Sequence, residues 1–184
     1  MSDPNYIDPA PADPVPGQAG HLDHHIWLKE SALSLDTELK SLNDTVTGSG
    51  PWTTYTPAWT GASTNPALVN GTLHAAYKRI GNTVHFRIWV TCGSSTTYGS
   101  GAWSFALPTP SKASSIHIAQ ALLIDGGATY YPSYGIIDAA SSTVELMVST
   151  ASGSYVSGGA ANATTPFTMA STDQIIIQGT YEAA

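Results

Sequence analysis

The chain has 184 residues, enough for one packed domain with an appendage; only 10% are charged, and the formal net charge is −7. Six Lys and Arg residues without a basic stripe disfavour nucleic acid as a partner. No run approaches the roughly 20 apolar residues that cross a bilayer, and the single Cys92 excludes an internal disulfide.

The first segment, residues 1–20, contains five prolines among small and acidic residues. This density of proline disfavours helix and central strand, so the segment is predicted to be extended. Two interpretations stay open: a disordered tail, or an anchor peptide that becomes ordered on a neighbouring subunit, with Tyr6 and Ile7 as its apolar contacts. The N-terminus has no apolar signal segment, which predicts synthesis in the cytoplasm.

Residues 21–47 follow a helical pattern with apolar residues at heptad spacing. The predicted trimer seam consists of His25, Leu28, Ala32, Leu35, Leu39, Leu42 and Val46. Positions beside the seam offer few opposite-charge pairs, so this short coiled coil is expected to need the following domain to hold it together. A second apolar face with Leu22, Ile26 and Leu33 suits docking onto another protein or capping the base of the domain.

The histidines at the start of this helix fall at i, i+3 and i+4, a spacing that can place two imidazoles on one side of a helix. They are His21, His24 and His25. No carboxylate or cysteine within one chain completes a ligand set around them, so we predict packing against neighbours and no metal.

Residues 48–51 form a glycine-rich hinge, where the pattern of the sequence changes. In residues 52–184 apolar and polar residues alternate with the period of two that is typical of β-strands. The clearest unit is a β-hairpin with a Gly81-Asn82 type II′ turn, which places Tyr77 opposite Phe86. Further strands are predicted at about 55–60, 102–107, 116–125, 129–138, 143–150, 166–169 and 174–182, with a loop at 152–163. About nine strands without a second helix predict a mainly β chain whose C-terminal domain is an all-β sandwich, a jelly roll by preference.

Catalytic signatures are missing from the sequence: it has no Gly-x-Ser-x-Gly elbow, no phosphate-binding loop and no His-Glu-x-x-His. The five acids after the hinge lie mostly at predicted turns, where Asp is common for local backbone reasons. We therefore predict no catalytic residues, no enzyme activity and no cofactor, and a cell-wall hydrolase is the weakest alternative.

The aromatic residues give the best indication of binding. Trp52, Tyr55 and Trp59 are expected to form one cluster, and Tyr130, Tyr131 and Tyr134 another. Trp89 is predicted on the outer hairpin face with His74, His85 and Arg87. Aromatic faces beside polar groups suit both sugar recognition and a subunit interface, and we favour the interface, with Arg87 then needing a partner across it.

Two stretches carry a resemblance to a known family, and together they cover about half of the chain. They are residues 14–25, with its proline-glycine-histidine lead-in, and a series at 55–61, 70–73, 77–84, 98–105 and 107–108. The chain resembles small minor tail or head-fibre proteins of tailed bacteriophages, especially those that infect actinobacteria.

The resemblance implies a virion surface component, capsid fibre, decoration or minor tail protein, that forms a homotrimer and is anchored to capsid or tail proteins through residues 1–33. Its β domain would face outward, able to contact the host surface. The alternative is a carbohydrate-binding adhesin, a receptor-binding protein whose β domain recognises glycans of the host envelope. The resemblance supplies no catalytic residues.

Overall fold

The computed structural model describes residues 21–47, 50–152 and 154–184, without the side chains of 21–24, 45–47, 152 and 155. The predicted anchor residues Tyr6 and Ile7 and the hinge positions 48–49 therefore lie outside the described residues, as does the side chain of Val46. The chain divides into two units, Met1–Gly50 and Pro51–Ala184. We call the second unit the head.

The first unit contains one helix, α1, which spans His21–Thr47, the range predicted from the heptad pattern. None of its described side chains is buried. Trp27 is half-buried, and six other large apolar side chains are between 45% and 65% exposed: Ile26, Leu28, Leu33, Leu35, Leu39 and Leu42. The helix therefore presents an apolar surface that the described residues of its own chain do not bury.

The head contains ten strands and no helix within its described residues. In chain order they are β1 (Thr53–Thr54), β2 (Trp59–Gly61), β3 (Thr72–Ile80), β4 (Thr83–Thr91), β5 (Trp103–Ala106), β6 (His117–Asp125), β7 (Thr129–Ile137), β8 (Thr143–Ser152), β9 (Tyr155–Ala160) and β10 (Gln174–Glu182). The prediction of a mainly β chain is therefore confirmed.

These strands form one antiparallel sheet in the order β1-β3-β4-β10-β6-β7-β8-β5-β2, and β9 pairs with β8 outside this path. The predicted jelly-roll sandwich is not confirmed, because a jelly roll would divide the strands between two hydrogen-bonded sheets. Strand β10 causes the difference: it pairs with both β4 and β6 and joins what would otherwise be separate halves.

The sheet is curled so that its two edges approach each other. Eight strand intervals lie between β1 and β2, which would separate the edges by about 38 Å if the sheet were flat. Only residues 55–58 connect the two edge strands, and a chain of that length spans at most roughly 17 Å between the strand ends. The sheet must therefore bend round on itself, which encloses one face.

The enclosed face carries the core, as the alternating pattern of the strands requires. In β4, Val84, Phe86, Ile88 and Val90 are at most 1% exposed, while the residues between them face outward. Trp103 is fully buried, and its indole N–H donates to the carbonyl oxygen of Tyr98 at 3.0 Å. One cluster of buried side chains runs through the whole head, so it has a single core.

A row of small residues allows the central strands to curl tightly around this core. A Cβ at Gly179 in β10 would lie 2.8 Å from the Cβ of Ala119 in β6. A Cβ at Gly135 in β7 would lie 2.5 Å from a methyl group of Val144. Ala119 pairs with Gly135 and Phe86 with Gly179, and a Cβ at Gly179 would also lie 3.1 Å from the Phe86 ring.

The hairpin β3–β4 has the predicted register: Tyr77 lies opposite Phe86, and Gly81 has the positive φ of 58° that a type II′ turn needs at its first loop residue.

Other predictions were wrong. Residues 166–169 form no strand, because Asn162 and Thr165 bridge to each other and Met169 N–H bonds to Ala163 O, which turns the chain back.

The expected loop at 152–163 contains β9, which is held as a strand by its pairing with β8. The glycine-rich sequence of β9 does not by itself indicate a strand. The expected strand at 55–60 is split, since β1 ends at Thr54 and β2 begins at Trp59. Tyr55 bonds through its N–H to Ala75 O, and Ala58 accepts from Ala106 N–H, so this segment passes from one sheet edge to the other.

Candidate binding surface on the outer face of the sheet

The hairpin β3–β4 brings the four predicted outer-face residues together. His74 lies opposite Trp89, and His85 lies opposite Lys78, with Arg87 between them in β4. Trp89 is 49% exposed, and its ring centroid lies 6.2 Å from that of His74. The alternation of β4 places these side chains on the outer surface because their neighbours in the strand fill the core.

Strand β10 extends this surface and fixes two of the side chains. The indole N–H of Trp89 donates to Gln174 Oε1 at 2.9 Å. His85 Nδ1 lies 2.9 Å from the hydroxyl of Thr180. Gln178 stands directly opposite Arg87 in the β4–β10 pair. These contacts orient an aromatic face and an imidazole on the two sides of Arg87.

The guanidinium group of Arg87 stacks on Trp52, with its Cζ 4.8 Å from the ring centroid. This geometry is a cation–π contact, which orients the guanidinium but leaves its N–H donors available at the ring edge. Trp52 is 41% exposed and precedes β1, at one edge of the sheet. Sequence reasoning placed Trp52 in a cluster with Tyr55 and Trp59 and missed this contact.

The Arg87–Trp52 pair separates two grooves. The first has a volume of about 720 Å³ and is lined by Thr54, Thr56, His74, Trp89 and Gln178 among others. The second has a volume of about 550 Å³ and contains Trp52, His85, Gln120 and Thr180. Arg87 and Gln178 line both grooves. Volumes of this size are within the range of small-ligand sites.

Neither groove has an acidic residue in its lining. Within the part of the chain that the structure describes, Arg87 has no carboxylate partner, whereas Lys112 forms an ion pair with Glu182 and Arg79 bonds to the carbonyl oxygen of Gly81. Asp173 is buried and accepts hydrogen bonds from the N–H groups of Gly126 and Ala170. The surface around Arg87 is therefore locally cationic on a head with little net charge.

A second outer surface, on β6 and β7, is apolar. Ile116, just before β6, and Ile118 are 65% and 74% exposed, and Ile118 lies opposite the partly exposed Ile136. We call these residues the apolar patch. Side chains of this size are seldom left exposed together without a partner, so the patch is a candidate contact surface.

The remaining aromatic predictions are corrected by the structure. Trp59 is only 8% exposed and stacks on Phe105 at 5.7 Å, so it belongs to the core and not to a surface cluster. Tyr131 stacks on Phe167 at 4.8 Å, while Tyr130 faces outward. Neither group of three aromatic residues forms the cluster that the sequence predicted.

The predicted trimer seam is exposed along α1. His25 and Ala32 are exposed, as are the four seam leucines. The side chain of Val46 lies outside the described residues. In the described residues no three His, Cys, Asp or Glu side chains lie together as a metal-binding group, and His21 and His24 have side chains outside that set.

The buried ionisable groups serve the core. Burial raises the pKa of the Cys92 thiol from 9.0 to about 12, with Asp173 as the second cause. Burial likewise raises the pKa of Tyr98, which is hydrogen-bonded to Cys92, to about 12. Such groups stay protonated at neutral pH, so neither is suited to act as a nucleophile.

A small depression of about 240 Å³ is lined by two carboxylates, Asp138 and Glu145. Its other lining includes Thr60, Ser104 and Thr143.

Comparison of the chain with protein-family models, with curated proteins and with solved structures finds no match. Among the described helices none is both long and apolar enough to span a membrane.

Proposed function

We propose that this chain is a non-enzymatic structural component of a phage virion, a trimeric fibre, decoration or minor tail protein. In this proposal residues 1–33 fix it to capsid or tail proteins, three copies of α1 form a coiled coil, and the head is displayed at the virion surface. The resemblance of residues 14–25 and of the first part of the head to phage fibre proteins supports this assignment.

The observation that carries the proposal is the leucine stripe of α1. Leu28, Leu35 and Leu42 recur every seven residues, and each is at least 45% exposed. An isolated helix with no buried side chain is marginal in water, because its stability comes mostly from packing an apolar face. Copies of the same helix offer a matching stripe at the same spacing, which is the arrangement of a parallel coiled coil.

The head supports assembly as well. The apolar patch and the near-neutral composition after the hinge would both leave a free monomer prone to association. Contacts between heads would compensate for the few charge pairs beside the helical seam. We therefore propose that the heads and the helices assemble together.

The oligomeric state is the first test. Light scattering of the full chain at micromolar concentration is expected to give about three times the protomer mass of 19.2 kDa. A monodisperse monomer at that concentration would contradict the proposal. Antibody labelling of purified parent particles then tests the location: label on the particle surface is expected, and particles free of the protein would overturn the virion role.

A second function, glycan binding by the head, is favoured by the two grooves. They combine the exposed face of Trp89 with amide, hydroxyl and guanidinium groups, which are the groups that position sugars. In this case the same assembly would act as an adhesin. Binding of the protein to host envelope fractions, reduced by Trp89→Ala, tests it; Trp59 is buried and is not a suitable contact residue.

A further inference from the structure

We propose that the two grooves beside Arg87 form one site for an anionic saccharide, a sugar chain that carries carboxylate or phosphate groups. This inference rests on the second proposed function, glycan binding by the head, and specifies its ligand class. It does not depend on the location of the protein in a particle.

The first argument is the state of Arg87. Its guanidinium is held by the Trp52 ring and forms no ion pair or hydrogen bond with the described residues. Stacking on an aromatic ring leaves the planar edge with its N–H donors free to bind a carboxylate or phosphate in a bidentate manner. An anion at this edge would satisfy donors that the protein itself leaves open.

The second argument is the distribution of charge. Arg87 lines both grooves, and Lys78 lies on the same outer face of the hairpin, opposite His85. None of the acids of the head lines either groove. Glu182 at the end of β10 is paired with Lys112. A negatively charged ligand would therefore meet complementary charge with no repelling carboxylate in the lining.

The third argument is the shape of the site. The larger groove presents the half-exposed face of Trp89, oriented by its bond to Gln174, together with the hydroxyls of Thr54 and Thr56. An apolar ring face beside hydroxyl groups suits the C–H face and hydroxyl edge of a sugar. Gln178 lines both grooves, so a chain of sugars lying across Arg87 would meet polar groups on each side.

These features favour a glycan over a second copy of the chain. A subunit interface at this surface would bury Arg87 and would need a carboxylate from the neighbouring copy. Among the five carboxylates of the head, Asp173 is buried and Glu182 is already paired. Asp138 and Glu145 line the separate depression of about 240 Å³, which leaves Asp125 at the end of β6. The apolar patch is better suited to contacts between copies; its Ile118 also lines the second groove, so such contacts would leave the larger groove, with Arg87 and Trp89, for a ligand.

Calorimetric titration of the full chain with three oligosaccharide-like probes of equal length tests the proposal. The probes are an oligogalacturonate, an oligo(glycerol phosphate) and a neutral oligogalactoside. We expect at least one anionic probe to bind, more weakly as salt is raised, and the neutral probe to bind at least tenfold more weakly. Binding to the carboxylate or the phosphate probe alone identifies which anion the site prefers.

Two variants and one matched control locate the binding. Arg87→Gln is expected to weaken binding of the anionic probe by about tenfold to a hundredfold, because it removes the charge-assisted hydrogen bonds. Trp89→Ala is expected to weaken it to a similar extent. The matched control is Arg79→Gln, which removes the same charge from a residue whose side chain donates to Gly81 O in the hairpin turn. The affinity of this variant for the anionic probe should stay within about twofold of wild type.

The proposal is overturned if no probe binds, if the neutral probe binds as tightly as the anionic ones, or if Arg79→Gln and Arg87→Gln have equal effects. It is also overturned if Arg87→Gln lowers the mass measured by light scattering, since Arg87 then belongs to an interface between copies. A trimer that binds no probe leaves the structural proposal intact, so the two failures are distinguishable.

Discussion

Helix α1 and the head differ in where their stability comes from. The head encloses one continuous core, with Trp103, Phe86 and Tyr181 at most 1% exposed. Along α1 no described side chain is buried, and leucines that would fill a core are about half exposed or more. The head is thus specified by contacts within one chain, whereas the described residues of α1 have no core of their own, which the proposed coiled coil would supply.

The largest expected effect is in the head. Trp103→Ala should lower the free energy of unfolding of the head by about 3–5 kcal/mol, because it removes a fully buried indole and leaves a cavity. Urea denaturation followed by near-UV circular dichroism measures it. The control Trp89→Ala, at a half-exposed position, should cost less than about 1 kcal/mol. Equal losses for both variants would show that the core is not where the structure places it.

The next effect concerns α1. Leu35→Asp should weaken assembly by about tenfold or more, which corresponds to ~1.4 kcal/mol, and reduce the helical signal. Leu33→Asp is the matched control: its leucine is 58% exposed against 53% for Leu35 but lies off the seam. Sedimentation equilibrium gives the dissociation constants. If the two variants assemble equally well, the heptad seam is not the contact between helices.

Two tyrosines of the head allow a sharper test of its buried polar groups. Tyr181→Phe should destabilise the head by about 1–2 kcal/mol, because the Tyr181 hydroxyl donates to Thr109 O at 2.7 Å. The Tyr55 hydroxyl is buried without a hydrogen-bond partner in the described structure, while its ring packs on Tyr77 at 5.6 Å. Tyr55→Phe should therefore be neutral or stabilising in thermal denaturation. A larger loss at Tyr55 than at Tyr181 would contradict these assignments.

The smallest effect is the response of the head to alkali. The folded thiol of Cys92 has a pKa of about 12 and its ordinary value is 9.0, so the folded state retains the proton that the unfolded state loses. Stability should thus fall as pH rises from about 9 toward 12. Cys92→Ala should reduce the loss of stability between pH 8 and pH 10.5, measured as the difference between the urea midpoints at the two pH values. The same loss in the variant and in wild type would contradict this role of Cys92.

The local features of the fold were predictable from the sequence. The Gly81-Asn82 turn and the alternation on either side of it together specify the β3–β4 register, and they correctly placed Trp89 beside His74. The helix range followed from heptad spacing and a glycine stop. In each case a short-range rule of geometry decides the outcome.

The features that depend on distant strands were not predictable. The pairing of β10 with β4 and β6, which makes one curled sheet instead of a sandwich, joins segments far apart in the chain. The Arg87–Trp52 stack reaches from β4 across β3 to the residue before β1, a pairing of strands that no local pattern in the sequence indicates. Strand β9 was missed because Gly158 and Gly159 lower its apparent β propensity, which the pairing with β8 overrides.

The most direct test of the contrast between the two regions is a dilution series of the full chain, with mass, helical signal and near-UV signal recorded on the same samples. The account predicts that the mass falls from about three protomers of 19.2 kDa to one, and that the helical signal is lost in the same range of concentration. The near-UV signal of the head core should persist throughout. A monomer that keeps its full helical signal would contradict the account.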